Sequence, residues 1–118
     1  MTIPKEICGQ KYIALTTFRK NGQAVSTPVW FAEQGEKLYV MTRNDSGKYK
    51  RIRNNPQIKV APCTMGGKIS GPEFSAIARV LPPAQWPEAK KALHRKYWMA
   101  RLPFWSKKNE FLEIEIAL

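Results

Sequence analysis

The sequence predicts a mainly β fold with short helices, an antiparallel barrel of six strands in one domain spanning residues 1–118. Three observations predict it. Six segments alternate or run apolar in a β-rich way, the connections between them read mostly as hairpins, and only two segments read as helices.

Taken in order, KYIALTTF (11–18) alternates and is rich in β-branched and aromatic residues. RKNGQ (19–23) follows, and its Asn21-Gly22 pair is the strongest short-range hairpin signal. QAVSTPVWF (23–31) is the return strand. Pro28 within it has no N–H to give to a ladder, which places this strand at a sheet edge or at a bulge. AEQGEK (32–37) reads as a second turn and KLYVMT (37–42) as a third strand. Asp45 or Ser46 then caps a short helix over roughly 46–54, stopped by Asn54-Asn55-Pro56. QIKVAPCT (57–64) is a fourth strand, MGGKISGP (65–72) a glycine-rich loop, and EFSAIARVL (73–81) a fifth strand. PPAQWPEAKKALHRKYW (82–98) holds a helix starting near Pro87, a residue suited to the first helical position. MARLPFWSKKN (99–109) is a broken, basic and aromatic connection, and EFLEIEIAL (110–118) is the terminal strand.

The 118 residues suffice for one core, and the 43% hydrophobic and 25% charged fractions are ordinary for a globular chain. The net charge is not ordinary: 20 Lys and Arg against 9 Asp and Glu leave +11. Such a surface favours anionic partners: nucleic acid, anionic lipid, or a phosphorylated or polycarboxylate small molecule. Cys8 and Cys63 are too few for a disulfide framework, and with His94 as the single histidine no zinc site is expected. MTIPKEICGQ has no apolar core and no run of about 18 apolar residues occurs, so a cytoplasmic protein without a membrane span is expected.

The charge concentrates in TRNDSGKYKRIRNNP (42–56), where Arg43, Lys48, Lys50, Arg51 and Arg53 surround one acid, Asp45. A strand ends at Thr42, a loop brings Ser46 and Gly47, and a helix begins. The first turn of a helix carries unpaired N–H groups and the positive end of its dipole. The hydroxyls of Thr42 and Ser46 and the ammonium of Lys48 complete a cradle for a phosphoryl group, with the other cations along its rim. The competing reading is a solvated basic helix. The strand STPVWF (26–31) adds small hydroxyls, Pro28 and Trp30, a surface along which a flat ring can lie. Equally, Val29 and Phe31 can be core with Trp30 on the opposite face.

The segments KYIALTTFRKNGQAVSTPVWF and LYVMTRNDSGKYKRIRNNPQIKVAPCTMGGKISGPEFSAIARVL together resemble the pyridoxamine-5′-phosphate-oxidase-like split-barrel superfamily. Within it they look like the small class of oxidoreductases that depend on the deazaflavin coenzyme F420. The resemblance covers residues 11–81 and, weakly, FLEIEI. It implies a six-stranded FMN-binding split barrel that forms a homodimer with two cofactors in grooves at the dimer interface. It further implies a phosphate held by Ser46 and Lys48, with Thr42 similarly placed, and a ring system along Thr27, Pro28, Val29 and Trp30. Pro62 and Cys63 flank the same groove in this reading. The resemblance does not choose between FMN and coenzyme F420. The latter carries a polyanionic tail, which suits the additional cations, including Arg43 and Arg51.

The function so implied is hydride transfer between coenzyme F420 and an unsaturated small organic substrate. The cofactor supplies the chemistry, and no side-chain nucleophile, His/Cys pair or acidic metal cluster is assigned a catalytic role. Three alternatives stand beside it. One is an FMN-dependent oxidoreductase, or a non-catalytic flavin or heme-type carrier, on the same barrel. Another is a basic β-barrel that binds nucleic acid, against which the cations cluster at 43–53, 90–96 and 101–108 rather than interleaving with aromatics along strands. A third is a membrane-surface protein using residues 94–108, where Pro103 interrupts any amphipathic helix. Cys63 reads as buried filler, His94 as a surface residue, and the aromatics Trp98, Phe104 and Trp105 as core or dimer contacts.

Overall fold

A computed structural model describes residues 3–97 and 108–117. It holds a single antiparallel sheet of seven strands: β1 (Tyr12–Phe18), β2 (Ala24–Trp30), β3 (Ala32–Gln34), β4 (Lys37–Arg43), β5 (Gln57–Pro62), β6 (Phe74–Val80) and β7 (Asn109–Ile116). Helix α1 (Gly47–Asn54) lies between β4 and β5. Helix α2 (Trp86–Lys96) lies between β6 and β7, entered through a 3-10 turn at Pro83–Gln85. The expected architecture is therefore present, with seven strands in place of the six expected.

The extra strand is β3, inside the segment expected to be a turn. Ala32, Glu33 and Gln34 pair with Tyr39, Leu38 and Lys37, so the turn contracts to Gly35-Glu36. Gly35 sits at φ +63°, the left-handed region that a two-residue hairpin needs and that glycine adopts without strain. Elsewhere the expected boundaries hold to within two residues. Ser46, not Asp45, is the helix cap, accepting a hydrogen bond from the Tyr49 N–H. The segment 99–109 falls, but for its last two residues, outside the described residues.

The sheet order is β2-β1-β5-β6-β7-β4-β3. Its two edges, β2 and β3, are thus neighbours in sequence, separated by Phe31 alone. A single residue spans only about 3.3–3.6 Å of extended chain beyond its neighbours. The sheet must therefore curl until its edges meet, which makes it a barrel with a seam at Phe31. Pro28 lies on the edge strand β2, opposite Ala14 of β1, where its missing N–H breaks no ladder on the open side.

One set of alternating residues fills the barrel. Ile13, Leu15, Val29, Phe31, Leu38, Val40, Val60, Leu112 and Ile114 are buried together, and Ile52 of α1 joins them. Outside, α2 lays Ala89, Ala92 and Leu93 against Tyr39 of β4 and Phe111 of β7. The α2 sequence alternates these small and apolar positions with Lys90, Lys91 and His94, which gives one buried stripe and one basic face.

At the seam the backbone of Phe31 has passed out of both strands, and a side chain satisfies it. The Tyr97 hydroxyl accepts the Phe31 N–H at 3.2 Å and donates to the Phe31 carbonyl at 2.5 Å, with the Lys11 carbonyl 2.9 Å away. Burial pushes the Tyr97 phenol up to about 12, so it stays protonated and keeps this role throughout the neutral range. Lys96 adds a second tie. Its ammonium lies 3.8 Å from the centre of the Phe31 ring, 2.6 Å from the Glu33 carboxylate and 2.5 Å from the Gln10 carbonyl. Removing only the phenolic oxygen in Tyr97→Phe leaves a buried N–H without an acceptor. We expect a loss of about 1–3 kcal/mol in denaturant unfolding; an unchanged midpoint would mean the seam is held by packing alone.

Candidate functional site

The seam leaves a gap between β2 and β4. A cavity of about 190 Å³ opens there, lined by Val29 and Trp30 of β2, Met41 of β4, Lys48 of α1 and Leu93 of α2. Four of these side chains are apolar and one is a cation. Strand alternation explains how β2 contributes: Val29 points inward and is buried, while Trp30 points outward and remains 38% exposed. The reading that places Val29 and Phe31 in the core with Trp30 on the other face thus describes the strand. Trp30 is not loose. Its ring stacks on Tyr97 at 5.1 Å and 15°, and Tyr12 tilts against it at 6.3 Å.

Lys48 enters this gap because Ser46 starts the helix there. The Ser46 hydroxyl donates to the Arg43 carbonyl at 2.8 Å and accepts from the Tyr49 N–H at 3.3 Å. With its proton committed, it also takes the Thr42 hydroxyl, 3.1 Å away, as a donor. The two hydroxyls therefore build the cap rather than face outward as free donors. They fix where the first turn of α1 begins, and Thr42 is itself buried.

The ammonium of Lys48 differs. It is half-buried, and among the described residues it has no hydrogen bond or ion pair. Burial, and secondarily the charge of Arg51, hold it below the ordinary lysine value. Arg51 sits one turn further along α1, yet its side chain runs back toward the helix start. Its Nε donates to the buried Thr17 hydroxyl of β1 at 2.6 Å, and its guanidinium crosses over Gly47. Two cations thus share the positive end of a helix dipole, where a cation is disfavoured and an anion is favoured.

The remaining cations of the segment divide. Arg43 is exposed and forks onto Asp45 with two contacts of 3.1 Å. The Arg43 guanidinium, with help from Lys108, holds the Asp45 carboxyl well below the usual carboxylate range. Arg43 is therefore neutralised locally. Arg53 lies over the Tyr49 ring at 5.8 Å, and with Lys50 and Asn54 it lines a shallow, open depression on the far side of the helix.

Of the residues singled out from sequence, Val29, Trp30 and Lys48 line one cavity, Arg51 joins them at the helix start, and Thr42 and Ser46 build the cap behind it. Thr27 and Pro28 continue along β2 from that cavity. Pro62 and Cys63 are buried and lie on the far side of β1: Pro62 pairs with Ile13, which pairs with Val29. Cys63 is 5% exposed, and burial raises its thiol, as expected of core filler. These two reach the groove only through the loop they begin. Gly71 packs so closely on Pro62 that a Cβ there would lie 2.7 Å from the ring, and Gly67 stands beside Pro28. Met41, Leu93 and Thr17 were not singled out. Met41 and Thr17 read as ordinary strand residues, and no local pattern brings an α2 leucine to the seam.

The whole segment 3–118 matches the family model described as pyridoxamine 5′-phosphate oxidase. No curated protein matches the chain. Several solved structures share the fold. An F420 reductase superposes with a TM-score of 0.72 at 20% identity, covering 98% of this chain and 97% of its own. The heme storage protein HutZ from Vibrio cholerae gives 0.73 at 12% identity over 93% of this chain and 84% of its own. Atu2129 from Agrobacterium tumefaciens, of unknown function, gives 0.74 at 15% identity and covers 92% of this chain, which spans 51% of that longer protein. At such identities these likenesses establish the fold alone. The barrel with its seam, the helix start beside it and the match over residues 3–118 together place the chain in the pyridoxamine 5′-phosphate oxidase family.

Proposed function

We propose that residues 1–118 form one unit that binds a phosphorylated flavin-type cofactor in the seam groove, and that this cofactor is coenzyme F420. The protein then acts as an oxidoreductase on an unsaturated small organic substrate. One observation carries the reading: Lys48, half-buried beside Val29, Trp30 and Met41, meets no anionic side chain among the described residues. A lysine placed so is disfavoured in the free protein and favoured once a phosphate meets it.

In this assignment Lys48 and Arg51 hold the phosphate, together with the N–H groups of the first turn of α1 other than that of Tyr49, which Ser46 caps. Val29 and Trp30 give the ring an apolar strip, Thr27 and Pro28 continue it, and Thr42 and Ser46 keep the helix start in place. Lys50 and Arg53, on the other side of α1, supply the charge toward which a polycarboxylate tail extends, while Arg43 stays paired with Asp45, and the loop after Pro62 and Cys63 closes the far side. Bound there, the deazaflavin supplies the hydride, while the chain orients the ring and excludes water from one face. The cavity of one chain, about 190 Å³, is below the roughly 300–1,000 Å³ usual for small-molecule sites. That supports a homodimer in which a second copy completes the groove.

The test is titration of the protein with coenzyme F420 and, in parallel, with FMN at near-physiological salt. Tight and selective binding of coenzyme F420 supports the assignment. Preference for FMN keeps the groove and reassigns the cofactor, and binding of neither overturns the reading.

Lys48→Met keeps the apolar stem and removes the charge. Affinity for the bound cofactor should fall by about 1.5–3 kcal/mol, the range for a hydrogen bond to a charged group.

The same substitution should raise the stability of the free protein, by roughly 0.5–1 kcal/mol at neutral pH, as expected where function holds a residue in a disfavoured state. The sign follows from linkage. The folded value of Lys48 is lowered, so between it and the ordinary lysine value the unfolded chain binds more protons, and the wild type gains stability as pH rises through that window. The variant should lack that rise in pH-dependent unfolding. A variant less stable at pH 7 would contradict this.

A further inference from the structure

Arg51 belongs near the end of an eight-residue helix, where a cation is favoured by the dipole and free to extend into solvent. It does neither. Its Nε is 2.6 Å from the Thr17 hydroxyl, 34 residues away on β1. Thr17 is fully buried, and its hydroxyl proton points to the Val25 carbonyl of β2 at 3.4 Å. That second contact orients the oxygen, leaving a lone pair for the guanidinium. The helix makes room at the other end. Gly47 lies four residues before Arg51, on the same helical face, and a Cβ on it would stand 2.6 Å from Nη1. Among the described residues Nη1 and Nη2 have no hydrogen-bond partner. The fold therefore spends a buried hydroxyl and a glycine to hold a cation, with open donors, against the dipole and beside a second cation.

We infer that Thr17 is a positioning residue: its hydroxyl fixes the Arg51 guanidinium over the first turn of α1, so that Arg51 and Lys48 together grip the phosphate of the cofactor. This rests on the phosphate site proposed above. Thr17 touches no ligand itself. Gly47 serves the same arrangement by leaving the space that the guanidinium occupies.

The experiment reads the phosphate alone. Affinities for FMN and riboflavin are measured by flavin fluorescence, and those for coenzyme F420 and its phosphate-free chromophore likewise. The ratio within the pair that binds tighter reports the phosphate grip. For the wild type we expect a ratio well above one. Thr17→Val, close in shape but lacking the hydroxyl, should lower the ratio about tenfold, the effect of losing roughly one good hydrogen bond, with affinity for the phosphate-free ligand unchanged. Thr17→Ser should restore it. Gly47→Ala should lower it too while leaving thermal stability equal or higher, because alanine favours the helix. In an Arg51→Ala background neither Thr17→Val nor Gly47→Ala should lower it further. A wild-type ratio near one overturns the phosphate site and this inference with it. A high wild-type ratio that Thr17→Val leaves unchanged overturns this inference alone, as does equal weakening of both ligands by Thr17→Val.

Discussion

The structure depends on one constraint: the chain crosses from one edge of the sheet to the other through a single residue, Phe31. That step forces the sheet to curl, and a curled sheet with seven short strands can bury one apolar face completely while showing the other to α2 and to solvent. Because neither edge pairs with Phe31, its backbone needs a partner from elsewhere. Tyr97 provides it, and Lys96 seals the ring from outside. The end of α2 is therefore fixed to the seam, and so is Trp30, which stacks on the same tyrosine. The gap that remains between β2 and β4 is the groove. Closure, helix docking and the candidate site are consequences of one geometric step.

The groove combines two energetic opposites. Its walls are apolar, and beside them stand Lys48 and Arg51, which no acid among the described residues neutralises. Asp45 shows that the chain neutralises cations where it has reason to, since Arg43 and Lys108 both meet that carboxylate. Among the described residues no acid meets Lys48. In a chain with 20 basic and 9 acidic side chains an unpaired cation is common at the surface, but a half-buried one at a helix start is costly. That asymmetry is what the anion site we propose would require.

Much of this was legible in the sequence because the signals were local. Alternation marked the long strands, Asn21-Gly22 marked the first hairpin, and Pro28 marked an edge. The Ser46 cap and the cations after it located the helix start, and with it Lys48 and Arg51. What was not legible depended on contacts distant in sequence. The three-residue strand β3 has no alternation long enough to see and exists because Tyr39, Leu38 and Lys37 offer partners. Thr42 and Ser46 read as ligands by type, whereas their mutual hydrogen bond commits them to the cap. Thr17 looked like any strand threonine, and only the fold brings Arg51 to it. Pro62 and Cys63 were associated with the groove by resemblance, while the register sets them across β1 from it.

The most direct measurement of the central claim is a crystal structure of the protein grown with coenzyme F420 and, separately, with FMN. The account predicts a phosphate within hydrogen-bond distance of Lys48 Nζ and the Arg51 guanidinium, with the ring against Val29 and Trp30. A cofactor bound elsewhere, for example on the outward face of β6 around Ile77, with Lys48 and Arg51 left without an anion, would contradict it.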